Sequence, residues 1–261
     1  MRLNNATALR RASDDDAQRL VVSMASTPDE VKEAQRLRHR VFVEEMGAQA
    51  ATRGGRLERD RFDPFCKHLI VRDQVTDRVV GTYRILTPER VAALGSFMAA
   101  REFDLSRLAA ISGEVAEVGR ACIDAEYRCG STIMLLWSGI AAYALSRRFR
   151  FLFGCVSVGF GEEVVDVQAI YDKLAPRYLA PAEYRVEPWA SLPRRAGAGA
   201  PARVPSLLKG YLRAGAWICG EPAWDAEFHT ADLLVLLPLE RVEGRYARHF
   251  LREAAVEAAA D

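Results

Sequence analysis

The chain has 261 residues, half of them hydrophobic, and a net charge of +1 from 36 basic and 35 acidic side chains. That composition describes a globular protein with ample material for a core, and it excludes a disordered chain and a bulk nucleic-acid binder. The cysteines, Cys66, Cys122, Cys129, Cys155 and Cys219, are odd in number and form no C-x-x-C pair; they read as reduced thiols, which argues against a disulfide framework or a zinc site and for the cytoplasm.

Residues 1–18 lack an apolar core and read as a flexible tail rather than a signal peptide. Residues 19–261 read as one domain, because no linker separates two cores. A first short strand is expected over Leu20–Met24. In STPDEVKEAQRLRHRVFVEEMG, Thr27 is a good N-cap, Pro28 suits the first helical position, Glu30 completes a capping box and Gly47 is a stop. The stretch 47–66 is polar and turn-rich. KHLIVR and RVVGTYRIL read as strands of an antiparallel hairpin joined by DQVTD. Residues 88–112 contain at least one short helix, and a buried strand follows over 115–123.

STIMLLWSGIAAYALSRR places Ile133, Leu136, Trp137, Ile140, Ala144 and Leu145 at helical spacing, and FRFLFGCVSV is another buried strand. Together these form a βαβ-like unit. VVDVQAIYDKLAPRYL reads as a helix, 191–205 as a mobile Gly/Ala/Pro/Arg loop and SLLKGYLRAGA as a helix. WICGEPAWDAEFHT follows as a short strand and loop, ADLLVLLPL as a strand, and a last helix is expected from about Arg245. The apolar stretches are too short to span a bilayer, so any membrane contact is expected to be peripheral.

The strand EVAEVGRACI carries Glu117 and Arg120, three residues apart. In a regular strand such positions point to opposite faces. A β-bulge at Gly119 would reset the alternation, put both side chains on one face and free backbone N–H groups beside them. The alternative is a structural ion pair. YRCGS, with Arg128 and Gly130, lies between this strand and a helix N-terminus, where N–H groups and the helix dipole suit an anion.

Strand, bulge, R-x-G turn, helix and strand resemble the core of the GNAT-type N-acyltransferases. That likeness implies an α/β (α+β) fold, a central mixed twisted sheet flanked by helices whose splayed strands hold a pantetheine arm. The RCGSTI turn is shorter than the family's usual phosphate loop, which favours a carrier-protein donor over coenzyme A. RHRVF (Arg38, Phe42), DRFD (Asp60, Asp63), GTYRIL (Arg84) and EVGR (Glu117, Arg120) resemble the acyl-homoserine-lactone synthase branch. EEMGAQ lacks the aromatic residue that those synthases carry after the Arg/Phe helix. The segments LLKGYLRAGAWICGEPAWDAEFHTADLLVLL and RYARHFL, with RLRHRVFVEEMGA, VVGTYRIL and EVGRACI, are similar to the bacterial L-ornithine Nα-acyltransferases of ornithine-lipid synthesis.

The resemblance implies transfer of a 3-hydroxyacyl group from acyl carrier protein (ACP) to the α-amino group of L-ornithine, giving lyso-ornithine lipid. ACP and ornithine are then the partners, with no tightly bound cofactor, and the location is cytoplasmic or at the inner membrane face. A synthase of the lactone type or an acyltransferase for another amino acid is the competing enzyme. A catalytically inactive binding module is the competing class.

Under the leading reading, Glu117 is the candidate base, direct or through water, and Arg120 steadies it or binds the acceptor carboxylate. Arg84 is mid-strand in apolar surroundings and needs an anion, either Asp60 or Asp63 or a substrate carboxylate. Asp60 and Asp63 either cap a turn, meet the acceptor's ammonium groups or pair with Arg38 and Arg84. Arg38 and Phe42 are helical neighbours on a site wall. Trp224, with Pro222 and Phe228, lines a pocket or stiffens a loop. Gly119, Arg128 and Gly130 are assigned to the pantetheine arm. Arg147, Arg148 and Arg150 are either solvated surface or a landing patch for acidic ACP, with Arg194, Arg195, Arg203 and Lys209 as a second patch. His68 and His229 lack ligand-spaced partners, so no metal is expected. Cys122 and Cys155 lie in buried strands, against an acyl-cysteine intermediate.

Overall fold

The structure, a computed structural model, describes residues 19–48, 56–128, 130–159, 167–192 and 204–242. The expected N-terminal tail, the C-terminal helix from Arg245 and most of the 191–205 loop, with Arg194, Arg195 and Arg203, lie outside them.

Ten strands are described: β1 (Leu20–Met24), β2 (Lys67–Asp73), β3 (Arg78–Leu86), β4 (Phe103–Asp104), β5 (Val115–Ile123), β6 (Phe151–Gly159), β7 (Glu187–Pro188), β8 (Trp217–Ile218), β9 (Ala223–Asp225) and β10 (Thr230–Pro238). Eight of them form one sheet in the order β1-β2-β3-β5-β6-β10-β8, with β9 also on β10; β4 and β7 pair separately. The sheet is mixed: β5 and β6 run parallel and the other neighbours are antiparallel. The parallel pair needs a crossover, and helix α3 (Gly130–Ser146) supplies it, as the apolar spacing of that segment requires.

Helix α1 (Pro28–Arg38) starts on the expected capping box, Glu30 N donating to Thr27 Oγ1 at 3.2 Å and Thr27 N donating to Glu30 Oε2 at 3.1 Å. Beyond Arg38 the winding loosens into a π-helix over His39–Glu45, so the segment expected as one helix changes pitch where the candidate residue Phe42 sits. The ambiguous stretch 88–112 resolves into helix α2 (Pro88–Leu94), 3-10 turns and β4. Helices α4 (Val167–Tyr178) and α5 (Ser206–Ala214) complete the set.

Strand alternation sorts the core into two layers. On the front face α1 packs Ala34 and Leu37, and the π-helix packs Val41, on Ile70 and Cys122, while the 95–112 excursion packs Phe97, Phe103 and Leu108 on Phe151, Phe153 and Leu234. On the back face α3 places Leu136 and Ile140 over Leu69, Tyr83 and Ala116, and α4 and α5 cover Val156, Leu233 and Val235. β5 and β6 pair only at Val115–Phe151, Ala116–Leu152 and Glu117–Phe153, then part. No helix among the described residues is long and apolar enough to cross a membrane.

Candidate active site

The site forms where the register of β3 and β5 slips. Thr82 faces Cys122 and Arg84 faces Gly119, so two steps on β3 answer three on β5. The extra residue is a bulge, and the alternation resets across it. The bulge expected near Gly119 is present, with its left-handed backbone on the next residue, Arg120, at φ 53°. Gly119 instead lies flat opposite Arg84, where an added Cβ would stand 3.5 Å from Met98 Cε. Glu117 and Arg120 therefore share the front face, yet each has other partners.

Arg120 belongs to a closed ring of six charges. Arg38 binds Glu58 (Nε–Oε2 2.5 Å) and Asp63 (Nη2–Oδ1 2.6 Å). Arg84 Nη1 binds Asp63 Oδ2 and Asp60 Oδ1, both at 2.8 Å. Arg120 closes the circuit on Asp60 (3.6 Å) and Glu58 (3.1 Å). Every guanidinium bridges two carboxylates and every carboxylate bridges two guanidiniums, so the ring is neutral. Against the penalty of burial, Arg38 and Arg84 hold the Asp63 carboxyl well below its ordinary range. Arg84 and Arg120 lower Asp60 against the same penalty.

The alternatives left open for Arg84, Asp60 and Asp63 resolve in favour of one another. Asp60 also caps its own turn, accepting from Phe62 N at 2.8 Å. Arg38 and Arg84 are sealed, whereas the Arg120 side chain is 22% exposed. The ring's open edge is thus at Arg120, whose guanidinium lies 4.4 Å from the centre of the Phe228 ring. Phe42, on the π-helix, meets Phe228 edge-on at 6.0 Å.

Glu58 is the ring member that sequence reasoning missed; the signal available was an acid two residues before Asp60 in an otherwise basic run. His68 stands opposite Arg84 across β2 and β3, with Nε2 3.1 Å from Asp63 O. Burial lowers its pKa. Among the described residues no group of His, Cys, Asp and Glu is arranged to hold a metal.

Glu117 stands just outside the ring. Its two oxygens accept from Met98 N (2.5 Å) and Ala99 N (2.7 Å), and Met98 Sδ meets Arg84 Nη2 at 3.0 Å. Burial pushes the Glu117 carboxyl up to about 8 against the pull of those two N–H groups and Arg84. No bond joins it to Arg120, so the expectation that Arg120 steadies Glu117 directly is replaced by Arg120's hold on Glu58 and Asp60.

Beyond Arg120 the front face turns acidic. Asp232, 5% exposed, lies on β10 opposite Ser157 and Ala223, and Asp225 ends β9. Burial, reinforced by Asp232 and Asp225, pushes the Glu102 carboxyl up to about 7. Burial, with Asp225 adding to it and hydrogen bonds from Ser157 and Thr230 opposing, raises Asp232 to about 6. Glu102 and Asp232 favour keeping their protons, and with Asp225 beside them these three acids mark a wall that lacks a cation. Sequence reasoning missed all three; Asp225 and Asp232 lay inside recognised segments but carried no periodic signal.

On the back face an apolar pocket opens where β5 and β6 part. It is partly open to solvent and is lined by Val118, Ile140, Leu152, Val235 and Leu237 among others. Gly154 permits the closeness of the two strands at its edge: a Cβ there would stand 2.1 Å from Val118 O. Burial pushes the Cys122 thiol up to about 12 and Cys155 well above its ordinary value, so neither supplies a ready thiolate.

The remaining candidate residues lie outside the ring. Trp224 pairs with Ala231, which places it on the back face, opposite the ring and Glu117. It meets His229 edge-on at 6.1 Å. Arg128 makes a two-pronged ion pair with Glu45, and Gly130 opens α3 as expected. Arg147 pairs with Glu89 at 3.1 Å and Arg150 with Glu114 at 2.9 Å. With Arg148 they sit at the far end of α3 from Gly130, about 25 Å away for 17 residues. β5 and β6 separate towards their C-terminal ends, so the Arg147–Arg150 patch is at the closed end of the splay.

Comparison with known proteins agrees with this architecture. A family model described as an acetyltransferase (GNAT) domain matches residues 37–138. A protein of Rhizobium meliloti named L-ornithine N(alpha)-acyltransferase is 34% identical over 256 residues, covering 90% of this chain and 85% of that protein. One of the same name from Rhodobacter capsulatus is 33% identical over 249 residues, covering 88% and 94%. Among solved structures, the CoA-dependent acyl-homoserine lactone synthase BjaI with SAM and isopentyl-CoA superposes with a TM-score of 0.51 at 15% identity, over 87% of this chain and 83% of that one. The acyl-homoserine lactone synthase LasI gives 0.51 at 13% identity, over 86% and 95%. These two show the fold.

Proposed function

The chain belongs to the L-ornithine N(alpha)-acyltransferase family, and we propose that it joins a 3-hydroxyacyl group carried on ACP to the α-amino group of L-ornithine, giving lyso-ornithine lipid. The observation that carries this reading is the division of the site by β5. An apolar pocket suited to an acyl chain lies behind the strand, polar side chains suited to an amino acid lie in front, and the gap between β5 and β6 joins them.

The donor's pantetheine arm enters along the splayed strands and its thioester carbonyl rests beside β5 past Glu117. Backbone N–H groups that β6 no longer covers face the oxyanion. On the front face Arg120, at the open edge of the ring, takes the acceptor carboxylate. Glu102, Asp225 and Asp232 surround the distal ammonium, which returns to that wall the positive charge it lacks. Glu117, its basicity raised by burial, removes the α-ammonium proton, through a water where its two backbone donors block direct approach. The freed nitrogen lone pair attacks the carbonyl carbon, the C–N bond forms, the C–S bond breaks, and the second proton shed by the nitrogen passes to the departing pantetheine sulfur, which leaves as a thiol. Arg38, Arg84, Asp60 and Asp63 act as a rigid foundation that fixes Arg120, with no contact to substrate. The enzyme works in the cytoplasm, with peripheral contact to the membrane that receives its amphiphilic product.

Purified chain incubated with L-ornithine and 3-hydroxyacyl-ACP is expected to release ACP thiol and form an Nα-acylornithine identifiable by mass spectrometry. A host expressing the chain should accumulate an amine-positive, phosphorus-free lipid. Absence of product with ornithine, or acylation of the distal nitrogen, overturns the reading.

A further inference from the structure

The back-face pocket is hydrocarbon except at one place. Tyr83, from β3, and Tyr211, from α5, bring their phenol oxygens into a direct hydrogen bond, and the Trp137 indole stacks on Tyr211 at 5.2 Å and 30°. All three residues line the pocket. Among the described residues, the only other polar side chain lining it is the Cys155 thiol, whose register sets it on the front face. The arrangement is fixed: an added Cβ at Gly210 would come 2.3 Å from Trp137 Cη2, so the indole lies flat against a helix turn that has no side chain to hold it off.

The hydrogen-bonding count at this cluster does not close. Two hydroxyls bonded to each other use one of their two hydrogens. Trp137 Nε1 is buried and makes no well-aligned hydrogen bond; its nearest acceptor is the Tyr211 phenol oxygen, which it reaches only loosely. One phenol hydrogen is therefore left over, beside an indole N–H that is poorly satisfied, at a pocket whose other side chains offer them no oxygen acceptor. A purely apolar occupant would leave that phenol hydrogen dry, which is costly. An occupant carrying one hydroxyl would satisfy it, because its oxygen accepts while its hydrogen returns to a phenol oxygen. Tyr83 stands on the strand opposite the Arg120 bulge, just past the last β5–β6 pair, so that hydroxyl belongs near the thioester end of the chain.

We infer that Tyr83, Tyr211 and Trp137 form a hydroxyl-reading subsite that selects 3-hydroxyacyl donors over unsubstituted acyl donors. This rests on the reading of the pocket as the acyl site. It assigns the selection to a phenol pair and an indole that the sequence places on three separate elements.

The test compares kcat/KM for 3-hydroxyacyl-ACP and for saturated acyl-ACP of equal length, with L-ornithine as acceptor. The wild-type chain should favour the hydroxylated donor by tenfold or more, on the order expected when a site built for a hydroxyl is left unfilled. Tyr211→Phe, Tyr83→Phe and Trp137→Phe should each lower that ratio by roughly tenfold, so that the two donors converge. Thermal melting identifies which variants remain folded. A wild-type enzyme without preference, or an unchanged ratio in the folded variants, overturns the inference. A separate arm, Ala141→Phe, fills the pocket. If long-chain donors still react at the wild-type rate, the pocket is not the acyl site and the underlying reading fails. If long chains are excluded and the phenol variants keep the ratio, only the hydroxyl-reading subsite is lost.

Discussion

Glu117 and Arg120 are three residues apart on β5 and project from the same face, because the bulge at Arg120 inserts the one extra step that their spacing needs. Their division of labour follows from what each touches. Glu117 is held by two backbone N–H groups and raised in pKa to about 8. Arg120 is tied to Glu58 and Asp60 and faces outwards over Phe228.

Glu117→Gln should lower kcat by roughly a hundredfold or more, the usual scale for loss of a general base, with the fold retained. Stability gives an independent readout. The folded carboxyl has a raised pKa, so the native state binds the proton more tightly than the unfolded chain does. Its effect on stability is absent below the ordinary value near 4.5 and grows as a penalty as pH rises towards about 8. Melting temperatures of the wild type should therefore fall across that window, and those of Glu117→Gln should fall less. Identical pH slopes in the two proteins would show that Glu117 is not so perturbed, and undiminished kcat would remove it from the mechanism.

The ring predicts the opposite dependence at its centre. Asp63 bridges Arg38 and Arg84 and has a depressed pKa, so its contribution is present above the ordinary value of 3.8 and is lost as pH falls below it. Asp63→Asn removes a carboxylate that two buried guanidiniums share, and should destabilise by about 3–5 kcal/mol, the scale for breaking a buried ion pair from one side. Chemical denaturation at pH 7 checks this. A loss below about 1 kcal/mol, the range of an exposed pair, would mean that the ring is not a structural unit.

How much of this the sequence disclosed depended on range. The capping box of α1, the β2–β3 hairpin and the β5–α3–β6 crossover are written in contiguous residues, and they fold as their local patterns dictate. Glu117 and Arg120 were legible because their spacing contradicts strand parity. Glu58 was not, since it lies in a polar stretch without periodicity and becomes significant only when Arg38, Arg84 and Arg120 converge on it from three elements. Glu102 was hidden in a segment with no clear period, and Asp225 and Asp232 become a wall only through the pairing of β9 with β10. The meeting of Tyr83 with Tyr211 spans 128 positions, which no local pattern encodes. The face that Trp224 takes was likewise not legible, because it depends on the register of β9 against β10.

The acidic wall should set acceptor choice. Asp232→Asn and Glu102→Gln each remove one of the charges proposed to surround the distal ammonium. Each should raise the KM for L-ornithine by roughly tenfold, in line with the loss of a charge-assisted hydrogen bond, with a smaller effect on kcat. The double variant should narrow the preference for ornithine over glutamine, whose side chain is neutral. Unchanged KM values would place the distal amine elsewhere and return Glu102 and Asp232 to a structural role.

The donor side is set by the direction in which β5 and β6 separate. Their paired ends lie at Val115 and Phe151, next to Arg150, and they diverge towards Ile123 and Gly159. On the proposed reading, a pantetheine arm enters from the open end, near Arg128 and the start of α3. Arg40, Arg78 and Arg128 lie on that side, each more than 40% exposed, and in the absence of a partner they pair with Asp124 and Glu45. An acidic carrier protein can take over these arginines, and the resulting attraction is screened by salt. The rate with acyl-ACP should therefore fall as salt rises. Replacing Arg40, Arg78 and Arg128 by Glu should raise the KM for acyl-ACP and flatten its salt dependence, with less effect on a short acyl-pantetheine. The same reversal at Arg147, Arg148 and Arg150, at the closed end of the splay, should leave carrier kinetics unaltered. If the second set of changes weakens acyl-ACP use and the first does not, the carrier docks at the opposite end of α3 and the assigned direction of entry is wrong.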